Sequence, residues 1–332
     1  MCLMVLAVRA HGEYPLICLH NRDEYFARPT TNFRREMGTE VVCARDLEKN
    51  GTWLGFNARS GQFAVLTNAR HNLKRPANNG SRGTVVQNAL TGADDMKRRN
   101  EAGAVAYNLI KCNNLFSLLN SGQAEPITFE CCVPSSTTDV KINPIPHDSL
   151  EWHISSQDIS DGVYARSNEF SPSVNDKLWE KTKFVRNRTA ESLAKLPNNL
   201  RGFAGAKRIL HAIGSIMGET RRDFKKPSIM SDVSTLTPKQ EAICQQGPYV
   251  RAEEVGWSGY GTRCQVAVIV SRSEKSIFFC SRQTGNLSRE ALARIPWKVF
   301  VCRGADSTET INPFRVLSSI SRHVVVGICA LM

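Results

Sequence analysis

The sequence predicts an α+β fold in which antiparallel sheets are layered with helices, and three observations predict it. Short apolar runs bounded by turn residues fill the first third, amphipathic stretches of helical period occupy the middle, and from Thr262 the period returns to that of strands. Strand and helix blocks segregated along a chain favour antiparallel sheets over the parallel sheets of alternating βαβ units. The chain has 332 residues, 41% hydrophobic and 22% charged, which is enough to bury a sizeable core.

Five runs in the first third read as strands, at residues 3–8, 15–20, 40–44, 52–56 and 62–66. His11-Gly12-Glu13 joins the first two as a hairpin, and Asn57-Ala58-Arg59-Ser60-Gly61 joins the last two. Helices are expected at 84–91 and at 101–111, where Ala104, Tyr107, Leu109 and Ile110 keep roughly helical spacing. Longer amphipathic helices are expected over 176–196, with Asn175 as its cap, and over 203–217. A late strand pair follows at 263–270 and 276–280 around the turn 271–275. Beyond Pro296 the pattern is irregular, so the chain divides into a main domain, 1–288, and a C-terminal extension, 289–332, whose order the pattern does not fix.

Forty-three Lys and Arg against thirty-one Asp and Glu give a net charge of +12, which favours anionic partners. The basic residues are scattered, as at Lys97 to Arg99 and Arg221 to Lys226, with no stripe of interleaved aromatics. A basic, well-solvated surface is therefore the simpler reading, and nucleic acid is not an expected partner. The eleven cysteines include no Cys-x-x-Cys pair and no haem-attachment Cys-x-x-Cys-His. Several, such as Cys18, Cys43 and Cys280, sit in apolar runs as small core residues, which fits a reducing compartment and a cytoplasmic protein. Residues 3–8 lack the basic start and cleavage site of a signal peptide, and no apolar run approaches the roughly 20 residues needed to span a bilayer. His20, His71 and His153 lack metal-ligand spacing, so no metal is expected.

Position 2 carries the first chemistry. Once Met1 is removed, Cys2 bears a free α-amine, with a pKa of about 7.7 to 8.0, beside a thiol of about 8.5, so one residue supplies nucleophile and base. A cysteine there is common and means little alone, but the downstream segments give it weight. His20-Asn21-Arg22-Asp23-Glu24-Tyr25-Phe26-Ala27-Arg28-Pro29-Thr30 follows the second predicted strand, so its charged residues can lie beside the start of the first. Further ordered motifs are Ala44-Arg45-Asp46-Leu47, Asn50-Gly51-Thr52-Trp53-Leu54-Gly55-Phe56 and Phe63-Ala64-Val65-Leu66-Thr67-Asn68-Ala69-Arg70. Tyr164-Ala165-Arg166-Ser167-Asn168, Lys177-Leu178-Trp179-Glu180-Lys181 and Tyr260-Gly261-Thr262-Arg263 complete the set. Through these segments the chain resembles the NRDE family, also called the transport-and-Golgi-organisation protein two family, over roughly residues 1 to 285.

That family is in turn distantly similar to penicillin V acylases and bile salt hydrolases. The resemblance implies a four-layer αββα fold of the N-terminal-nucleophile hydrolase type, with two antiparallel sheets. It also implies roles by position. Cys2 would be the nucleophile, Asp23 would orient its amine and thiol, and the Asn68 amide would help form an oxyanion hole. Asn168 would be a second site asparagine, and Arg263 would lower the cost of the thiolate. The chain departs from the acylase pattern at the motif itself, where Arg22 follows Asn21 and His20 stands in the place of the usual arginine. Within the NRDE pattern Ala44 and Asn50 replace usual glycines, and Cys264 replaces a small hydroxyl residue.

Each residue also has a plain structural reading. Arg22 and Asp23 fit an ion pair at a sheet edge, Asn68 a turn cap, Arg263 a partner for Glu253 or Glu254, and Trp53 and Trp179 core or rim aromatics. Two functions follow from the resemblance. One is a carrier or organiser in Golgi organisation and secretion and in lipid and haem handling, binding a small acyl-type or anionic ligand in a cleft around Cys2. It would work from the cytoplasm in peripheral contact with anionic Golgi or mitochondrial membranes. The other is a cysteine amidohydrolase cleaving a non-peptide C–N bond. No cofactor is expected, and haem enters only as a carried ligand.

Overall fold

The computed structural model describes residues 2–69, 81–93, 106–120, 124–134, 152–169, 171, 173–175, 178–220, 237–255, 259–285 and 287–303. Strands β1 (Leu3–Val8) and β2 (Leu16–Tyr25) form the first hairpin, in register from Leu3 opposite Asn21 to Val8 opposite Leu16. The turn between them closes through Arg9 N–H on the Pro15 carbonyl at 2.8 Å. This hairpin sits inside a six-stranded sheet with β10 (Gly162–Arg166), β11 (Tyr260–Ser271), β12 (Ser276–Gln283) and β13 (Lys298–Arg303), in the order β10-β1-β2-β11-β12-β13. The second sheet runs in chain order through β3 (Arg34–Arg35), β4 (Val41–Cys43), β5 (Leu54–Asn57), β6 (Phe63–Asn68), β7 (Tyr107–Cys112), β8 (Ile127–Pro134) and β9 (Trp152–Asp158). All the pairings within both sheets are antiparallel.

Strand alternation assigns the faces. Met4, Leu6, Val8, Leu16 and Cys18 on the first sheet share a core with Phe56, Phe63, Val65, Ile110 and Phe129 on the second. The opposite face of the first sheet, with Leu3, Val5, Ile17, Leu19, Ala267 and Ile269, packs on two helices, α2 (Glu180–Ala194) and α3 (Gly202–Met217). The outer face of the second sheet packs Ala64, Leu66 and Leu109 on Val85, Val86, Ala89 and Leu90 of α1 (Arg82–Thr91). Helix, sheet, sheet and helix thus lie in succession. Both faces of the central strands are buried, which is why β1 reads as a continuous apolar run. Three short α-helices, α4 (Pro238–Gln246), α5 (Ala252–Val255) and α6 (Arg289–Arg294), and a 3-10 helix at Leu115–Leu119 complete the described chain. No helix among the described residues is long and apolar enough to cross a membrane.

The structure corrects the sequence reading in four places. First, β2 continues through Asn21-Arg22-Asp23-Glu24, so the motif expected after the second strand is itself strand. Second, the helix expected at 101–111 is replaced from Tyr107 onward by β7, paired on both sides; a short apolar run suits either period, and two ladders of hydrogen bonds decide for strand. Residues 101–105 of that expectation lie outside the described residues. Third, Asn175 does not cap α2, whose N-cap is Trp179 without a side-chain bond. Fourth, the expected boundary at 288 falls inside the fold. Strand β13 pairs with β12 from Ser276 opposite Arg303 to Ser281 opposite Lys298, and it buries Val299 and Val301. Residues 304–332 of the expected extension lie outside the described residues.

One close approach positions the second sheet's motif. An added Cβ at Gly83, in the first turn of α1, would lie 2.5 Å from the Thr52 nitrogen and 2.6 Å from Gly51 Cα, so helix and motif meet backbone to backbone. Gly83→Ala is expected to lower unfolding stability by roughly 1–3 kcal/mol through overpacking. Gly12→Ala, with nothing within 4 Å, should stay within about 0.5 kcal/mol of the parent. Urea denaturation checks both, and equal midpoints for the two variants would contradict the contact.

Candidate functional site

Alternate residues of a strand project to opposite faces, and β2 uses this with three consecutive polar side chains. Asn21 faces the helices. Its Nδ2 donates to the carbonyls of Met217 at 2.8 Å and Pro248 at 2.9 Å, and its Oδ1 accepts from Gln265 Nε2 at 2.9 Å. Arg22 faces the second sheet, where Nη2 bonds Asp46 Oδ2 at 3.0 Å, Nη1 bonds Thr30 Oγ1 at 3.2 Å, and the guanidinium lies 4.1 Å from the centroid of the Trp53 ring. Asp46 also accepts from Arg28 Nε at 2.6 Å and from the backbone N–H groups of Glu48 and Lys49 at 3.1 Å each. Burial raises the Asp46 carboxyl, but the Arg28 hydrogen bond and charge, the Lys49 N–H and Arg22 outweigh it and hold it below the ordinary carboxylate range. The motifs around Arg22, Asp46 and Trp53 are therefore one buried cluster. Arg22 pairs with Asp46 and not with Asp23, because neighbours on a strand face opposite ways.

Asp23 returns to the helix side, where Thr262 Oγ1 donates to its Oδ1 at 2.6 Å. Cys2 lies just before β1. Ser167 Oγ donates to the Cys2 carbonyl at 2.8 Å, and the backbone N–H of Asp23 bonds the Cys2 thiol. Burial pushes that thiol up; the positive amino terminus, the Asp23 N–H and Arg22 oppose it, while the Asp23 charge adds to the rise. Burial also raises the Asp23 carboxyl, against the amino-terminal charge, Lys181 and the Thr262 bond. Lys181 is fully buried, donates to the Cys244 carbonyl at 3.1 Å and lies 5.6 Å from the Trp179 ring centroid. His20, fully buried on Arg22's face, is pushed down to about 3 by burial first, so it is a neutral imidazole at physiological pH.

The segment after β10 closes the corner. Thr67 Oγ1 donates to the Ser167 carbonyl at 2.6 Å, and Asn108 Nδ2 donates to the Glu169 carbonyl at 2.9 Å, so the second sheet holds this segment against the first. Glu169 accepts from its neighbour Ser167 N–H at 2.5 Å, from Trp179 N–H at 3.1 Å and, closely, from the Thr182 hydroxyl. Asn168 is 3% exposed, and among the described residues its Oδ1 has no hydrogen-bond partner. Asn68 ends β6 opposite Tyr107, in register with the outer face, while its neighbour Thr67 makes the bond to Ser167. Arg263 is the extra residue of a β-bulge between Thr262 and Cys264. Its Nη1 donates to the carbonyls of Tyr25, at 3.2 Å, and Arg28, and to Thr30 Oγ1 at 3.2 Å. Burial and then Arg22 lower its pKa. Glu253 and Glu254 pair with Arg251 instead.

Of the five residues singled out in the sequence, Cys2 and Asp23 are in direct contact, and Asn168 adjoins Ser167, which bonds Cys2. Asn68 and Arg263 stand one step away, through Thr67 and through the β2–β3 connection. The sequence reading missed Thr67, Asn108, Ser167, Glu169 and Thr262. Each is a small polar residue at the end of a strand or just after one, a weak signal without the pairing. Cys264 lies opposite Arg22, with burial pushing its thiol up to about 12.

The two aspartates pull stability in opposite directions with pH. Asp46, depressed in the fold, contributes above the unfolded carboxyl pKa of about 3.9, and that contribution is lost as pH falls through its lower folded value. Asp23, raised in the fold, contributes most below about 3.9 and loses its contribution as pH rises through its folded value. Asp46→Ala is expected to cost roughly 3 kcal/mol or more at neutral pH, because it leaves Arg22 buried without its counter-charge. It should also flatten the acid limb of the stability curve, whereas Asp23→Asn should raise stability at neutral pH relative to acid. Urea midpoints followed between about pH 3 and pH 7 read both signs.

The family model described as Transport and Golgi organisation 2 matches residues 1–284. An uncharacterized protein of Saccharomyces cerevisiae is 35% identical over 77 residues, a match that covers 21% of this chain and 24% of the yeast protein. The chain thus spans about a quarter of the length of the curated relative it matches. The family match runs from the first hairpin through β12 and takes in the whole Cys2 corner, so the chain belongs to the Transport and Golgi organisation 2 family.

Proposed function

We propose that this protein serves Golgi organisation and transport as a binding protein, on a fold of the N-terminal-nucleophile hydrolase type, holding a small acyl-type or anionic ligand at the corner around Cys2. The observation that carries this reading is the environment of the thiol. Burial holds Cys2 toward its protonated form, and His20, the imidazole on the neighbouring strand, is a neutral and weak base. Such a corner is suited to holding a ligand without cutting it. Arg22 beside the thiol and the net charge of +12 favour an anionic head group and peripheral contact with anionic Golgi or mitochondrial membranes from the cytoplasm. Lipids and haem are the ligand classes that fit this role.

A second reading, a cysteine amidohydrolase, is favoured by the Asp23 N–H on the thiol and by the Asp23 carboxylate beside the amino terminus. With Met1 removed, the α-amine of Cys2 would take the thiol proton and the sulfur would attack an amide carbon. The leaving amine would receive that proton, and water would then hydrolyse the thioester. Asn168 would steady the oxyanion, with Asn68 and Arg263 acting from one step away, through Thr67 and through the β2–β3 connection.

Residue-resolved alkylation at several pH values separates the two readings. Among the ten described free cysteines Cys2 alone is partly exposed as a residue, although its thiol is buried, so its rank among them decides nothing and the pH profile does. In the Met1-retaining protein Cys2 should alkylate more slowly than an exposed reference thiol and gain rate only above the ordinary thiol pKa of about 8.5. Dodecanoate, the probe for an anionic acyl ligand, should slow it further. A form beginning at Cys2 that reacts faster than the reference at neutral pH, and releases amine from N-acyl amides, would replace the binding reading with the enzyme.

A further inference from the structure

A cavity of about 540 Å³ lies between α3 and the chain from Glu290 to Val299, and it includes none of the groups of the Cys2 corner. Its size is that of small-molecule sites, which run from roughly 300 to 1,000 Å³. Phe203, Leu210, Leu292, Ile295, Trp297 and Val299 supply apolar walls. Gly214 of α3 and its C-cap Gly218 open the helix toward it. An added Cβ at Gly214 would come within 3.4 Å of Arg282 Nη2 and 3.5 Å of Trp297 Cζ2, and one at Gly218 within 2.8 Å of Leu292 Cδ2. Glycine in a helix interior costs about 1 kcal/mol relative to alanine, so the opening at Gly214 is kept at the expense of helix stability.

Arg282 is the buried charge of this cavity, with 7% of its surface exposed. Its Nε and Nη2 donate to Gln265 Oε1 at 2.8 and 2.5 Å, its Nη1 donates to the Leu292 carbonyl at 2.7 Å, and its guanidinium lies 4.5 Å from the Trp297 ring centroid. Every one of these acceptors is neutral. A guanidinium has five N–H donors, so one on each terminal nitrogen is left without an acceptor among the described residues. Burial lowers its pKa to about 10, which leaves it charged at neutral pH. A buried cation whose hydrogen-bond acceptors are all neutral keeps most of its desolvation cost, which an anion in the cavity would offset. Lys207 and His211 stand on the rim, and the one carboxylate of the lining, Glu290, is exposed there.

We propose that this cavity is a second binding site, separate from the Cys2 corner, for a small carboxylate on an apolar body, with Arg282 seating the carboxylate. The planar fork of two remaining N–H groups matches the two oxygens of a carboxylate, and the ring or chain behind it would lie along Trp297, Leu292 and Leu210. Arg282 and α3 lie within the residues matched by the family, whereas the α6–β13 wall lies beyond them, so one wall of this site is built by chain outside that match.

Calorimetric titration of the full chain with 2-naphthoate, neutral 2-naphthamide and cationic 2-naphthylmethylammonium tests the proposal. Naphthoate should bind roughly tenfold or more tighter than the amide, and the cation should not bind. Gly214→Val fills the cavity from the helix without removing Arg282 and should abolish naphthoate binding while circular dichroism stays that of the parent. Arg282→Gln should remove the preference for the acid over the amide. Saturating naphthoate should leave Cys2 alkylation unchanged, which keeps this site distinguishable from the one at Cys2. Equal binding of acid and amide, undiminished binding to Gly214→Val, protection of Cys2, or no binding at millimolar naphthoate would each overturn it.

Discussion

The structure depends on β2 lying between β1 and β11 with an amide, a guanidinium and a carboxylate on consecutive residues. Buried polar groups in mid-sheet are costly unless each finds a partner. The pleat sends the three to different partners. Asn21 fixes the end of α3 and the Pro248 backbone, Arg22 fixes the Asp46 and Trp53 segments, and Asp23 fixes Thr262 and the Cys2 thiol. A shift of β2 by one residue would exchange faces for all three at once and leave each unsatisfied, so these side chains define the register more sharply than the apolar residues before them.

Burial is the largest influence on nearly every titratable group at the corner, and it moves Cys2, Asp23, His20, Cys264 and Arg263 toward their neutral forms. Asp46 is the exception, because it gathers Arg22, Arg28 and two backbone N–H groups. Fixed charge is thus concentrated around Asp46, between the two sheets. On the helix side a chain of hydrogen bonds runs from Asn21 through Gln265 to Arg282, which joins the motif strand to the base of the apolar cavity.

Much of this was legible in the sequence where pattern and position agree. The hairpin of β1 and β2, the pair β11 and β12, and helix α3 have strong periods and clear turns, and the NRDE resemblance singled out Cys2 and Asp23, which the fold brings together. The pairing of Arg22 was not read, although the period of two separates it from Asp23, because its partner Asp46 lies far along the chain and only the two folded motifs bring them together. The bulge at Arg263 was equally hidden: one extra residue in β11 shifts its phase, so Thr262, which alternation from Cys264 would send to the other face, meets Asp23. The run at Tyr107 fits both periods, and β8 and β9 alternate too many polar residues to stand out. Strand β13 does alternate, with Lys298 and Arg303 exposed and Val299 and Val301 buried, but Pro296 just before it masks the signal.

That last strand also determines which backbone the first sheet presents to other molecules. Without it the outermost row of free N–H and C=O groups would belong to β12, whose Ile277-Phe278-Phe279-Cys280 is apolar on both faces and therefore a template for adding strands from other chains. β13 covers that row and, among the described residues, replaces it with a border flanked by Lys298 and Arg303, charged side chains of the kind that discourage edge-to-edge stacking. The segment beyond the family match thus covers a sheet edge as well as walling the cavity, and a shortened chain would expose β12 to strands of other chains before it lost any group of the Cys2 corner.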